Sequence, residues 1–239
     1  MLWDTLAYKS WLETRWRLLF VLCMMGGFMI MFRIAGAKPM PPGGRSAAFG
    51  YIVFSLPGIV VTTSGFLAGA GIATQPGLQA TKGLHGSTMF TLSLPASRFQ
   101  LLAVRSGLGW LEMASALGVQ CFGMRFGLPF LKGTGTSAEM LEFAGTLLAC
   151  ASAIYFLSVL LATFLDEPWR VWGTLIGCGL LWWLPSHAHL PVFVDIFRAM
   201  GEASPLIAHT MPWAAMTFSL ALAAALFFAA LKVVQAREY

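Results

Sequence analysis

Between Glu142 and Asp166 the chain runs for 23 residues, Phe143 to Leu165, without a charged side chain. A helix rises about 1.5 Å per residue, so a stretch of roughly 20 apolar residues crosses the ~30 Å hydrocarbon of a bilayer. The rest of the chain offers no polar cover under which such a helix hides in water. Only 10% of the 239 residues are Asp, Glu, Lys or Arg, against about 25% in an ordinary soluble domain. Further uncharged runs, Leu18 to Phe32 and Ser46 to Thr81, repeat the pattern between clusters of charge. The sequence therefore predicts a membrane protein.

Walking the chain gives one all-α polytopic transmembrane domain, 1–239, with six spans near 18–32, 49–74, 101–124, 143–165, 169–184 and 211–231. Residues 1–17 place Trp3, Leu6, Ala7, Trp11 and Leu12 at helical spacing, as in an amphipathic helix lying on the membrane surface. A cleaved signal peptide ending near Ala35 to Ala37 is the competing reading. The acids and tryptophans ahead of the first apolar run argue against it. Pro57 predicts a kink in the second span, and Gly65, Gly69 and Gly71 allow close helix contact there. "DEPWR", Asp166 to Arg170, predicts a tight turn. The proline-broken stretch before the last span carries Val192, Phe193, Ile196, Phe197 and Met200 at helical spacing, predicting a short amphipathic helix, partly embedded and not spanning.

Six spans put both termini on one side. With them lie nine Lys or Arg residues, among them Lys9, Arg98, Arg105, Arg170 and Lys232, against six on the other side, among them Arg33, Arg125 and Arg198. The positive-inside rule then places both termini in the cytoplasm. A net charge of +5 without a basic patch interleaved with aromatics does not describe a nucleic-acid partner, whereas lipid phosphates and topology account for it. Cys23, Cys121, Cys150 and Cys178 stand singly inside apolar runs, so they read as packing residues rather than a disulfide or zinc framework. The 13 methionines read mainly as packing.

Reactive chemistry is sparse. The chain has no phosphate-binding G-x-x-x-x-G-K-[ST] loop, no H-E-x-x-H zinc motif and no G-x-S-x-G nucleophile elbow. His187 and His189, with His209, are a weak metal set that reads better as polar loop residues, so no metal site is assigned. Glu112 is the most informative acid. It falls two helical turns from Arg105 inside the third span, where an unpaired charge costs at least about 2.5 kcal/mol. It lies either on a substrate pathway or in a helix-to-helix charge pair; the plainer alternative is a span that starts deeper, leaving Glu112 near the surface.

One polar segment interrupts the oily chain: "KGLHGSTMFTLSLPASRFQLLAVR", Lys82 to Arg105. Pro95 stops a helix, and Ser97 stands where an N-cap starts the next. A short helix across the ends of two spans, held by Gly83, Gly86 and Pro95, suits a lever for an external force. The stretch resembles the cytoplasmic loop of bacterial ABC-type exporter permeases of the second class through Lys82, Gly83, Thr91, Leu92, Leu94, Pro95, Ser97, Arg98 and Leu102. The motif covers about twenty residues and is degenerate, while the six-span layout fits across the chain.

The resemblance implies a permease subunit of the bacterial cytoplasmic membrane that is not itself an enzyme. It also implies a second copy or a related permease beside it, and separate cytoplasmic ATP-binding subunits that use ATP and Mg and dock on the loop as a coupling helix. Lys82, Gly83, Thr91, Leu94, Pro95, Ser97 and Arg98 are then the coupling residues. The short loop between the first two spans supplies no large external domain from which to read a substrate. A membrane-embedded enzyme using Glu112 or the loop histidines, and a non-catalytic scaffold or immunity protein, are the competing classes.

Overall fold

The computed structural model describes residues 2–36, 57–65, 67–68, 97–127, 136–165 and 167–236, and among these it is helical with short turns and no strand. The long helices are α1 (Leu2–Gly36), α2 (Arg98–Gly127), α3 (Ser137–Ala162), α4 (Glu167–His187) and α7 (Trp213–Ala236). Between α4 and α7 lie a 3-10 turn (Val192–Val194) and two short helices, α5 (Ile196–Met200) and α6 (Pro205–Ala208). Residues 57–65 form a further helical stretch. Of the expected span 49–74 only these and residues 67–68 are described. The coupling helix, with Lys82, Gly83, Thr91, Leu94 and Pro95, lies outside the described residues.

Among the described residues, three helices are long and apolar enough to cross a membrane: α1 over Thr14–Met31, α3 and α7. These are the helices of the expected spans 18–32, 143–165 and 211–231. Helices also occupy the regions expected for 101–124 and 169–184, but α2 carries Arg105, Glu112 and Arg125 and α4 is rich in Trp and Gly, which lowers their hydropathy.

One boundary is corrected. Residues 1–17 and 18–32, expected as a surface helix followed by a separate span, form one continuous 35-residue helix. No proline interrupts residues 2–36, so nothing removes a backbone donor and stops the hydrogen-bond ladder. Against the rest of the protein α1 buries Leu6, Ser10, Thr14, Val21 and Met25, spaced by four residues or its near multiples, while Trp11 and Leu12 are exposed.

Contacts between the helices give their directions. On α1 and α2, Thr14 meets Glu112 and Met29 lies beside Gly123, so the two helices run parallel. A chain that leaves the top of α1 and re-enters at the bottom of α2 has to come back down between them. The described part of residues 57–68 does so: Ser64 Oγ reaches Met113 Sδ at 3.3 Å, while Leu67 lies beside Gly109. α3 is antiparallel to α2, with Trp110 on Ser152 and Tyr155 on Ser106. α4 is antiparallel to α3, its Gly173 and Gly177 set against Leu161 and Leu157. α7 is parallel to α3, pairing Cys150 with Ser219 and Phe156 with Phe227. The start of α1 and the end of α7 therefore lie at one end of the bundle, and the turn-and-helix hairpin 192–208 at the other.

α3 forms the axis, packing on α2, α4, α5, α6 and α7. Its seam with α7 is built from small residues: Ala215, Ser219 and Ala223, four apart, are buried on α7 against the Cys150 side of α3. Between apolar helices in lipid there is no water to expel, so close approach of small residues supplies the packing that holds them together.

Candidate functional site

The beginning of α2 is built by a reciprocal cap. Ser97 Oγ accepts from the Gln100 backbone N–H at 3.2 Å, and Gln100 Oε1 accepts from the Ser97 N–H at 2.9 Å. Two orphan donors of the first turn are satisfied this way, so the N-cap expected at Ser97 is present. Arg98, one residue on, reaches across to α7. Its Nη1 donates to the carbonyls of Val234 and Gln235, each at 2.9 Å. Those carbonyls belong to the last turn of α7, which has no intrahelical donors left and carries the negative end of the helix dipole. Phe99 adds an edge-on ring contact with Phe227, 6.3 Å between centroids. The start of one helix is thus fastened to the end of another 136 residues later in the chain.

A band of polar groups lies inside the bundle. Glu112 is 3% exposed and accepts a hydrogen bond from the Thr14 hydroxyl of α1. Arg17, nearly one turn further along α1, acts on it electrostatically. Glu112 thus takes its hydrogen-bond partner from α1. Arg105, nearer the start of α2, acts on the Tyr155 phenol and on Lys9. Burial, and then the Arg105 guanidinium, hold Lys9 below the ordinary lysine range.

Tyr155 is fully buried and donates to the Ser106 carbonyl at 2.9 Å, and Glu112, Arg170 and Arg105 all lie close enough to act on it. Trp110 Nε1 donates to Ser152 Oγ at 2.8 Å, a second polar tie between α2 and α3. The arrangement brings opposite charges from α2 and α4 around one phenol in a medium that weakly screens them.

Arg170 is the residue that sequence reasoning missed. Counted as a surface cation of the tight turn, it is 2% exposed, and its Nη2 donates to the Gly65 carbonyl at 3.1 Å. The available signal was its helical face. Arg170 shares a four-residue spacing with Thr174 and Cys178, both buried, while Trp169, Trp172 and Ile176 cover the outside of α4.

At the opposite end Thr136 caps α3 in a reciprocal box with Glu139. Glu139 Oε1 also meets His209 Nδ1 at 3.2 Å, joining the start of α3 to the end of α6. His187 stacks on Trp183, 4.3 Å between ring centroids, and bonds the Trp183 carbonyl at 3.0 Å. These two histidines thus have separate partners. Among the described residues no three His, Cys, Asp or Glu side chains come together as a metal site.

The structure thus brings Ser97 and Arg98 to the end of the bundle where α7 finishes, and sets Glu112 and Arg105 in its interior. No family model matches the chain, nor does any characterised protein or solved structure.

Proposed function

We propose that the chain is the transmembrane permease subunit of an ATP-driven exporter of the second ABC class, acting in a bacterial cytoplasmic membrane with six spans and both termini in the cytoplasm. Separate ATP-binding subunits, which carry the ATP and Mg, press on residues 82–98. A second permease copy or a related permease completes the pathway. Lys82, Gly83, Thr91, Leu94 and Pro95 form the docking lever, Ser97 starts the helix that the lever moves, and Arg98 passes the displacement to α7. Glu112 and Arg105 form part of the polar interior that changes access.

The observation that carries this reading is the Arg98 clamp on the last carbonyls of α7. A push on the segment before Ser97 moves two helices together, because α2 and α7 are fastened at that end. The alternating helix directions support it as well. They bring the start of α2, the end of α3, the start of α4 and the end of α7 to one face, where a soluble motor has access to all of them.

The test is topological first. A Ser87→Cys variant in a background lacking the four native cysteines is treated with a membrane-impermeant thiol reagent. Labelling is expected in inside-out vesicles and not on intact cells; labelling from outside removes the proposal. The second arm joins the chain to its ATPase and compares Arg98→Glu with Arg98→Lys. Arg98→Glu is expected to leave assembly intact while transport per ATP falls by about tenfold or more, the loss of a charge-assisted clamp. Unchanged coupling in Arg98→Glu counts against the lever.

A further inference from the structure

The hairpin end of the bundle contains two adjoining hollows. One, of about 480 Å³, is walled by Val192, Phe193, Met211, Trp213 and Ala214. The other, of about 430 Å³, is lined by Pro57, Trp182, Phe197 and Glu202. Asp195 and Arg198 line both. Each volume falls within the roughly 300–1,000 Å³ of small-molecule sites. The first is apolar apart from the shared pair, and the second is where the charges gather.

Those charges are held in a fixed order. Asp195 Oδ1 accepts from the Arg198 backbone N–H at 2.9 Å, capping α5. Arg198 Nε faces Glu202 Oε2 at 3.8 Å, one helical turn on. Among the described residues its Nη groups have no protein partner, and the fork of the guanidinium remains open to an anion. One carboxylate, that of Glu202, thus faces the guanidinium, and a second, that of Asp195, is held on the Arg198 backbone at the mouth of the same apolar hollow. Trp182 and Trp213 stand exposed around it, as aromatic residues do at the boundary between lipid and water.

We infer that the paired hollows at Asp195 and Arg198 bind a membrane phospholipid with a zwitterionic head that carries a primary ammonium group, as in phosphatidylethanolamine. An acyl chain fills the hollow lined by Val192, Phe193 and Trp213. The phosphate lies on the Arg198 guanidinium, and the ammonium donates its N–H bonds to Asp195 and Glu202. Charge selects this head. A purely anionic head meets two carboxylates for one cation, and a quaternary ammonium has no N–H to give them. The inference needs only that the bundle crosses a bilayer, and does not depend on a motor.

The full-length chain, purified and stripped of lipid, is titrated separately with phosphatidylethanolamine, phosphatidylcholine and phosphatidylglycerol of identical acyl chains. Binding is read by native mass spectrometry. Phosphatidylethanolamine is expected to bind about tenfold tighter than phosphatidylglycerol. The Asp195→Asn/Glu202→Gln double variant keeps an acceptor for the Arg198 N–H, so α5 stays capped, and is expected to lose that preference. Ala214→Trp fills the apolar hollow and is expected to weaken all three lipids. Equal binding of phosphatidylethanolamine and phosphatidylglycerol by the native chain overturns the inference, as does unchanged phosphatidylethanolamine affinity in the double variant. Because no nucleotide or ATPase is present, failure here leaves the exporter reading standing, and external labelling at Ser87 removes that reading without touching this one.

Discussion

The most apolar 18-residue stretches of α3 and α7 have almost the same mean hydropathy, 2.0 and 2.1, yet 61% of the residues in the first are buried within the protein and only 22% in the second. Apolarity admits a helix to the membrane but does not choose its place there, since lipid is as apolar as a neighbouring helix. The difference lies in which residues each helix can offer to protein. α3 buries small and hydrogen-bonding residues around much of its circumference, among them Ala149, Cys150, Ser152, Ala153, Tyr155 and Ser158. α7 has such residues mainly on one stripe, Ala215, Ser219 and Ala223, and exposes Leu220 and Phe228 elsewhere. A helix that can be approached from all sides becomes the axis.

The sharpest way to break that contrast is to deny α3 its close neighbour. A Cβ at Gly109 of α2 would press on the Tyr155 hydroxyl and lie 3.2 Å from the Leu67 carbonyl oxygen. Neither a fully buried phenol nor a backbone oxygen has room to retreat. Overpacking by single methylenes costs about 1–3 kcal/mol, and Gly109→Leu adds a whole isobutyl group. It is expected to abolish the monodisperse peak in size-exclusion chromatography. Gly177→Ala, which meets only the tip of the flexible Leu157 side chain at 2.8 Å, is expected to preserve it.

The next largest effect compares the two helices directly. Ile154 of α3 is fully buried, so Ile154→Ala is expected to destabilise by about 2–5 kcal/mol in thermal or denaturant unfolding. Leu220 of α7 is about half exposed, and Leu220→Ala is expected to stay within about 0.5 kcal/mol. Equal losses would erase the distinction between axis and rim. Removing the polar tie from α1 comes next: Thr14→Val leaves buried Glu112 without its hydroxyl donor and is expected to cost about 1–3 kcal/mol. The smallest loss within the interior is Tyr155→Phe, about 0.5–1.5 kcal/mol, since the Ser106 carbonyl keeps its helical partner.

Features governed by neighbours along the chain are legible in the sequence itself. Ser97 following Pro95 reads as a cap, and it is one, because the bond it accepts comes from only three residues away. The short helix at 196–200 shows as apolar residues at helical spacing, and Ile196 and Met200 are its buried side. The continuity of α1 is harder to read, since its composition changes near residue 17 while no helix-breaking residue stands there to end one element and begin another. Arg170 escapes notice for a different reason. A cation beside a turn is ordinarily solvated, and the Gly65 carbonyl that this one meets arrives from elsewhere in the chain. The clamp of Arg98 on Val234 and Gln235 has no local signature either, because the acceptors are ordinary backbone.

The one-dimensional sequence was sufficient to establish membrane character and helical class, because the length of an uncharged run and the spacing of prolines and caps are local quantities that a bilayer reads directly. Tertiary packing decided which helix stands at the axis, which charges are drawn inside and which helix ends are fastened together. In a surrounding as apolar as the side chains themselves, those choices rest on close approach and on hydrogen bonds between residues far apart in the chain, and hydropathy is blind to both.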